Sequence, residues 1–411
     1  MNLRDDARTM GGDLATLRHA LHREPELGLS LPRTQEKVLE ALEGLPLEVS
    51  TGQALTSVTA VLRGGRPGPV VLLRGDMDAL PVHEEVDLPF RSQVDDTMHA
   101  CGHDLHTTML VGAARLLAAH RDRLAGDVVF MFQPGEEGYD GATHMLREGL
   151  LEAGGPEPVA AYALHVMSAR WPRGTFVTRP GPLLAASDAV RVTVRGRGGH
   201  GSAPHRAKDP VPAACEMVTA LQTFVTRSID AFDPAVLTVG EFHAGTRRNV
   251  IPAEARFEAT VRSFRAEVHE ALARGVPRVC EGIAAAHGVE VEVEYDAEYP
   301  VTVNSDDEAA YAARTATELF GADRFQLAQN PMTGSEDFSR VLGHVPGAMV
   351  FLGAAPEGRN YEEAPDNHSP FAAFDDGVLA DGSALYASLA ASRLSTNESP
   401  RPRTPPEKVR P

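Results

Sequence analysis

Positive charge is what this chain of 411 residues most lacks: 39 lysines and arginines face 57 aspartates and glutamates, a formal net charge of −18. An acidic surface repels the phosphates of nucleic acid and the headgroups of anionic lipid, so neither is an expected partner. Cysteine is scarce as well. The three that occur, Cys101, Cys215 and Cys280, are too few and too odd a set for a disulfide framework, which suits a reducing compartment. No apolar run approaches the length of a membrane span, and the opening "MNLRDDARTMGGDLATLRHAL" lacks the apolar stretch of a secretion signal, so a cytoplasmic protein is expected. Internal repeats are missing, and so are G-x-S-x-G and H-E-x-x-H, which removes support for a serine hydrolase or a common zinc protease.

The length allows two or three domains, and an apolar fraction of 43% is enough for a sizeable core. Several short apolar runs stop abruptly at polar clusters: "VVLL" at "RGDMDALP" (74–81), "DVVFMF" at "QPGEEG" (133–138), and "AAYAL" at His165. Uninterrupted runs of this length read as strands buried on both faces. Helical patterns lie between them, at 104–120 and 141–153, and the alternation predicts an α/β fold. Ligands in open α/β sheets collect beyond the carboxyl ends of the strands, which is where Asp76, Asp78, Glu136, Glu137 and His165 fall.

A different rhythm occupies 186–297. Alternating strands and two long helices follow the order βαββαβ, which predicts a small sheet carrying helices on one face, inserted into the first domain. The expected division is therefore a discontinuous catalytic domain (1–185 and 298–394) with a mixed sheet, an inserted α+β lid (186–297), and a proline-rich disordered tail (395–411).

The richest stretch is "MHACGHDLHTT" (98–108), with one cysteine and three histidines in eleven positions. Thiol, imidazole and carboxylate there can all bind transition metals. Cys101 taken alone reads as a small buried hydrophobe, but its position just before a helix, where the thiolate is favoured, suits a ligand. In "QPGEEG" the adjacent carboxylates Glu136 and Glu137 cannot point the same way, so one can bind metal while the other moves protons; the plain alternative is a solvated acidic turn. His165 could be a satisfied core histidine, and His368 in "PDNHSPFAAFD" an exposed loop residue. Each signal is weak alone, whereas four segments offering S, N and O donors favour a metal site together. "GRGGHG" (196–201) matches the dinucleotide fingerprint G-x-G-x-x-G, yet "SAPHRAKDPVP" follows it where a helix should open, so that reading fails.

Taken in order, "LHREPELGLSLPRTQEKV" (21–38), "RGDMDALP", "MHACGHDLHTTML", "FQPGEEG", "ALHV", "GRGGHGSAPH", "NVIP", "TGSEDFS" and "NHSP" resemble the di-metal aminoacylase/carboxypeptidase family, and within it the amidohydrolase branch of hippurate hydrolases, N-acyl-amino-acid amidohydrolases and auxin-conjugate hydrolases. The resemblance implies a catalytic α/β domain with a dimerising lid, and a homodimer or higher homo-oligomer. It implies metal ligands at Cys101, His103, Glu137, His165 and His368, a general base at Glu136, and Asp78 orienting a ligand imidazole. In the lid it implies His200 reaching the partner's active site as an oxyanion donor, with Asn249 and Arg262 near substrate. Asp76 stands where the wider family has a ligand histidine, and Cys101 where a bridging aspartate often lies; both departures fit this branch. The implied cofactor is one or two divalent ions per subunit, manganese(II) or zinc(II), with nickel or cobalt also compatible. The implied reaction is hydrolysis of N-acyl amino acids to a carboxylic acid and an amino acid. A dipeptidase or carboxypeptidase is the alternative within the family, and a catalytically silent small-molecule binder the alternative outside it.

Overall fold

In a computed structural model that describes residues 1–395, the chain forms two compact units. The expected disordered tail lies, from residue 396 onward, outside the described residues. The first unit comprises 1–177, 311–326 and 345 onward, and the second 178–310 and 327–344. The second unit thus takes in short segments on either side of 186–297 in addition to that stretch.

The first unit is built on a mixed sheet. Its main strands are β1 (Leu47–Thr51), β2 (Val58–Leu62), β3 (Arg66–Asp76), β4 (Ala125–Gln133), β5 (Ala160–Met167) and β6 (Gly347–Gly353). They lie in the order β1-β2-β4-β3-β5-β6, extended by two short strands, Phe176–Thr178 and Phe325–Leu327. The central pairs β4/β3, β3/β5 and β5/β6 are parallel, while β1/β2 and β2/β4 are antiparallel. Val70 to Leu73, Val128 to Phe132 and Ala160 to Leu164 are all buried, so these strands read as unbroken apolar runs because helices and sheet leave neither face to water. Helices α1 (His103–Ala119) and α2 (Leu379–Ser395) cover the middle of the sheet. They approach closely because each brings a glycine to the crossing. A Cβ on Gly112 would sit 2.2 Å from the Ser383 hydroxyl, and one on Gly382 would sit 2.0 Å from the Met109 sulfur. The helix expected over 141–153 is shorter than its pattern: it runs Gly141–Arg147 and breaks at Gly149, whose φ of +87° ends the turn before a 3₁₀ segment at Leu150–Glu152.

In the second unit the strands Ala186–Arg195, Ala235–Ala244, Glu254–Ser263 and Glu290–Tyr299 form one antiparallel sheet. Helices Pro210–Ser228 and Ala266–His287 pack on it around Val190, Val192, Val194, Met217, Leu221, Phe257 and Leu272. The βαββαβ order read from the alternation is the observed one. The outward positions of these strands carry charge, as in the Arg195–Glu292 pair at 2.6 Å. No helix among the described residues is long and apolar enough to cross a membrane.

Candidate metal centre

Strand ends of the first unit deliver the candidate ligands. Strand β3 finishes at Asp76, and Met77 and Asp78 follow it into a buried turn. Strand β4 finishes at Gln133 and hands the chain to Glu136 and Glu137, and His165 stands on β5 itself. Helix α1 begins at His103, straight after Gly102, which has a φ of +83°. Only glycine fits there, because a Cβ would lie 2.4 Å from Val166 Cγ2. His368 comes from the loop before α2 and is itself left-handed, with a φ of +70°. A histidine held in that conformation is strained, and such strain is tolerated where the surroundings over-determine it. Its main-chain N–H donates to Ala100 O at 2.9 Å, tying the loop to the cysteine segment.

The donor atoms gather around one sulfur. Cys101 Sγ lies 3.4 Å from His165 Nε2 and 3.3 Å from His368 Nε2. His368 Nε2 is 3.1 Å from Glu137 Oε1, which in turn is 3.9 Å from His103 Nε2. Two triads result, Cys101/His103/His165 and Cys101/Glu137/His368, each with its ligand atoms within 4.8 Å of one another and with the thiol common to both. Donors about 2.0–2.3 Å from one ion stand roughly 3–4 Å apart, which is the spacing seen. Neither ring nitrogen of His103 makes a well-aligned hydrogen bond, although both are buried and Nδ1 lies 3.3 Å from Asp78 Oδ1. An orphaned buried imidazole costs stability unless something else takes its lone pair. His165 faces Val166 O with Nδ1 at 2.8 Å, so that nitrogen donates and Nε2 keeps its lone pair beside the sulfur. Burial, with His106 close by, pushes the His165 imidazole well below its ordinary pKa, and the neutral ring is the form that binds a cation. The donor set and its orphaned atoms fit a pair of divalent ions.

Asp78 links the two carboxylate-bearing segments. Its Oδ1 and Oδ2 accept the main-chain N–H groups of Glu136 and Glu137, each at 3.0 Å, and Oδ1 lies 3.3 Å from His103 Nδ1. Glu136 is buried, and its carboxylate joins a group with His103 and Glu137 within 4.8 Å. Asp76 is occupied otherwise. Arg74 donates to its Oδ2 at 2.6 Å and His106 contacts its Oδ1 at 2.6 Å. Burial alone would raise the Asp76 carboxyl, but Arg74 and the imidazoles of His103 and His106 outweigh it and hold the group well below the usual range.

The three histidines of "MHACGHDLHTT" therefore divide. His103 faces the triads, and His106 spends both nitrogens elsewhere, on Asp76 and on the Val166 N–H at 2.7 Å. His99 is fully buried with its ring centroid 6.1 Å from that of His22, and burial pushes its pKa down to about 3. Sequence reasoning passes over Asn367 at the site and Arg18 and His22 behind it, and it counts Asp104 among the possible donors although that carboxylate is engaged by Arg18 and His22. Asn367 donates to the carbonyls of Cys101 at 3.2 Å and Val166 at 3.0 Å, and accepts from Ser168 N at 2.9 Å. Behind α1, Asp104 Oδ2 accepts from Arg18 Nε at 2.9 Å and contacts His22 Nδ1 at 2.8 Å. The signal for these is faint: "NHSP" holds Asn367 and "LHREPELGLS" holds His22, but only tertiary pairing assigns their polar groups.

The three lid candidates lie in the second unit. His200, in a short strand paired with Val250, is exposed and has Nδ1 against the Ser202 hydroxyl at 2.7 Å. The carbonyl of exposed Asn249 accepts from Gly201 N at 2.9 Å, so these two residues sit on neighbouring strands. Arg262 lies on the strand Glu254–Ser263, donating to the Thr260 hydroxyl at 2.6 Å. No helix opens after "GRGGHG"; a 3₁₀ turn at Pro204–Arg206 follows.

With the thiol-centred pair of triads in place, comparison with known proteins becomes informative. The model of peptidase family M20/M25/M40 matches residues 72–392. The chain belongs to that family. It is 36% identical to the hippurate hydrolase of Campylobacter jejuni, over 96% of this chain and 100% of that one. It is also 36% identical to thermostable carboxypeptidase 1 of Saccharolobus solfataricus, over 94% and 97%. Among solved structures, a dinuclear metal-binding M20 peptidase of Bacillus subtilis superposes with a TM-score of 0.80 at 33% identity, covering 94% of this chain and 99% of that one. M20 enzymes are metallo-hydrolases of amide bonds, and this chain is one of them.

Proposed function

We propose that this M20 hydrolase cleaves the amide bond of N-acyl amino acids, releasing a carboxylic acid and an amino acid. The observation that carries the reading is the pair of donor triads joined at Cys101 beside a buried carboxylate, Glu136. Cys101, His103 and His165 would hold one ion and Cys101, Glu137 and His368 the other, with the sulfur as a bridge. Manganese(II) and zinc(II) suit this mixture of thiolate, imidazole and carboxylate, and nickel or cobalt is compatible with it. Bound divalent ions would supply Lewis acidity toward the amide carbonyl and acidify water towards a pKa of about 7.

The chain's own groups do the rest. Glu136 takes the proton of the attacking water and returns it to the departing amine, a role for which its burial and its place beside His103 and Glu137 suit it. Asp78 holds both glutamates by their main-chain N–H groups and steadies the His103 ring. In the lid, His200 is a donor to the developing oxyanion, supplied by a second copy of the chain, while Asn249 and Arg262 contact substrate; this makes a homodimer the smallest active form. Exposure of His200, with Nδ1 engaged by Ser202, leaves Nε2 for such a contact. A reducing cytoplasm would keep the Cys101 thiol competent.

The carboxypeptidase relative keeps a second reading open, hydrolysis of a peptide carrying a free carboxylate, through the same centre. A panel of N-acyl amino acids beside dipeptides, assayed with metal analysis of the purified protein, separates the two. Dipeptides turned over faster than every acyl amino acid would replace the first reading with the second.

Two outcomes are expected at this stage. Iodoacetamide should label Cys101 only after chelation, because a ligand thiolate is shielded and a freed one attacks. Cys215 and Cys280, on helices of the second unit, should not share that dependence. Equal labelling of Cys101 with and without metal, mapped by mass spectrometry, would remove it from the ligand set. For the lid, mixing His200→Ala with Glu136→Gln subunits should restore activity that neither has alone, since one site of each mixed dimer is whole. Verified subunit exchange without recovery would place the histidine's action within its own chain or nowhere.

A further inference from the structure

Strands β3 and β5 pair only as far as Arg74 and Ala163. Beyond that rung β3 stays with β4, up to Asp76 opposite Gln133, and β5 stays with β6, up to Met167 opposite Gly353. The parting opens the crevice in which the ligands collect, and it leaves main-chain donors on β5 with no strand to receive them. Buried N–H groups must find acceptors. Two side chains supply them. Leu164 N–H donates to the Tyr386 hydroxyl at 2.7 Å, and that hydroxyl donates onward to Arg74 O at 2.5 Å. Val166 N–H donates to His106 Nε2 at 2.7 Å.

These bonds define the His106 ring completely. An amide N–H can only donate, so Nε2 is unprotonated. A carboxylate that already accepts from Arg74 can only accept, so Nδ1 carries the proton and donates to Asp76 Oδ1 at 2.6 Å. His106 therefore has no lone pair left for a cation, although it sits with Asp76 and His103 in a group of ligand type. Its effect passes instead through the residue it holds. The carbonyl of Val166 accepts from His165 Nδ1 at 2.8 Å and from Asn367 Nδ2 at 3.0 Å. One residue, Val166, thus meets the helix α1 histidine at its main-chain nitrogen, and the β5 imidazole and the His368 loop at its carbonyl oxygen.

We propose that His106 is a positioning residue of the metal centre: by seating the backbone of Val166 where the sheet splits, with its carbonyl turned to His165 Nδ1, it fixes the tautomer and aim of His165, so that Nε2 faces the shared sulfur. The proposal rests on the ligand set put forward above. On the other side of His165, the Tyr386 hydroxyl accepts from Leu164 N–H and donates to the carbonyl of Arg74.

The test compares His106→Gln with His106→Leu, each prepared metal-free beside the wild type. Glutamine offers one acceptor to Val166 and one donor to Asp76, as the Nδ1–H imidazole does, whereas leucine offers neither. Zinc affinity is read by competition with a chromophoric chelator, and the unfolding midpoint of the metal-free proteins is read separately. His106→Leu should bind the weaker of its two zinc ions about 10- to 100-fold less tightly than wild type, the usual cost of losing such a partner. His106→Gln should stay within about threefold of the wild type. If the leucine variant does not fold, His106→Asn, too short to span both partners, is expected to show the same loss. A folded leucine or asparagine variant with wild-type affinity for both ions overturns the proposal, as does a glutamine variant that loses as much as leucine. Long-range proton–nitrogen spectra of histidine-labelled, metal-free protein should show His106 protonated at Nδ1; protonation at Nε2 overturns the proposal as well. Wild-type protein that takes up no pair of zinc ions would instead remove the ligand set itself.

Discussion

Glu136→Gln should fold, take up divalent metal as the wild type does, and turn over its substrate roughly 100- to 10,000-fold more slowly, the usual contribution of a positioned general base. In barrier terms that is about 3–5 kcal/mol. The amide is nearly isosteric with the carboxylate, and the N–H of residue 136 that Asp78 holds belongs to the main chain, so neither substitution nor charge loss disturbs the turn. What disappears is the capacity to accept a proton. The proposed ligands do not include Glu136, so metal content should stay near that of the wild type. KM should move little, because the lost interaction belongs to the transition state. The measurement is kcat of a variant whose metal stoichiometry has been verified. A metal-replete variant within tenfold of the wild type would take the proton-transfer role away from Glu136.

The same pair of glutamates shows what a sequence of this kind can and cannot tell. Adjacency at a strand end predicts that Glu136 and Glu137 part, whereas both carboxylates join one group with His103 within 4.8 Å, Glu136 buried and Glu137 beside His368. The carboxylates and His165 are legible because buried-type apolar runs stop at them, although the strand itself continues through His165 to Met167, and Cys101 is legible because it stands just before a helix in a stretch dense with donors. His368 was legible only through resemblance, since a loop histidine carries no periodicity. The strain at its backbone and the Asn367 contacts that hold it were not legible at all.

Other residues escaped for a different reason. His106 shares the donor-rich stretch with Cys101 and His103, and nothing local says that its Nε2 meets the N–H of Val166, 60 positions away. The need for that bond arises from the splitting of β3 from β5, a property of the sheet and of no single segment. Likewise the βαββαβ insert announces itself through alternation, because one face of its sheet is wet, whereas helix α1, buried on nearly every face, carries little amphipathic signal to orient it. Patterns reveal faces. They do not reveal which buried polar groups will meet.

The largest expected effect on stability comes from such a meeting. Arg18, on the N-terminal helix Gly11–Arg23, is fully buried and uses its fork on three partners: Nε on Asp104 at 2.9 Å, Nη1 on Asp376 at 2.7 Å and on Phe374 O at 3.1 Å. Its guanidinium also lies over the Phe90 ring, 4.7 Å from the centroid. Asp104 follows His103 at the start of α1, and its Oδ2 is shared with His22, whose other nitrogen is 3.1 Å from Glu84. Burial would raise the Asp104 carboxyl, but Arg18 and His22 overcome it and hold the group well below the usual carboxylate range. Removing Arg18 strands that charge in the core, so Arg18→Ala is expected to cost about 3–5 kcal/mol, the penalty of breaking a buried pair from one side. Arg18→Lys should recover little, since an ammonium cannot reproduce the fork. Arg18→Met combined with Asp104→Asn should be more stable than Arg18→Met alone, because the stranded charge goes with its partner. The sign with pH follows from the depressed carboxyl. Its contribution is complete above the unfolded value of about 3.9 and fades as pH falls through the lower folded value, so the wild type should lose its advantage over Asp104→Asn only on acidification. Chemical denaturation of the metal-free proteins at several pH values measures all of this. An Arg18→Ala protein within about 1 kcal/mol of the wild type at neutral pH would show that the network does not hold α1 in place.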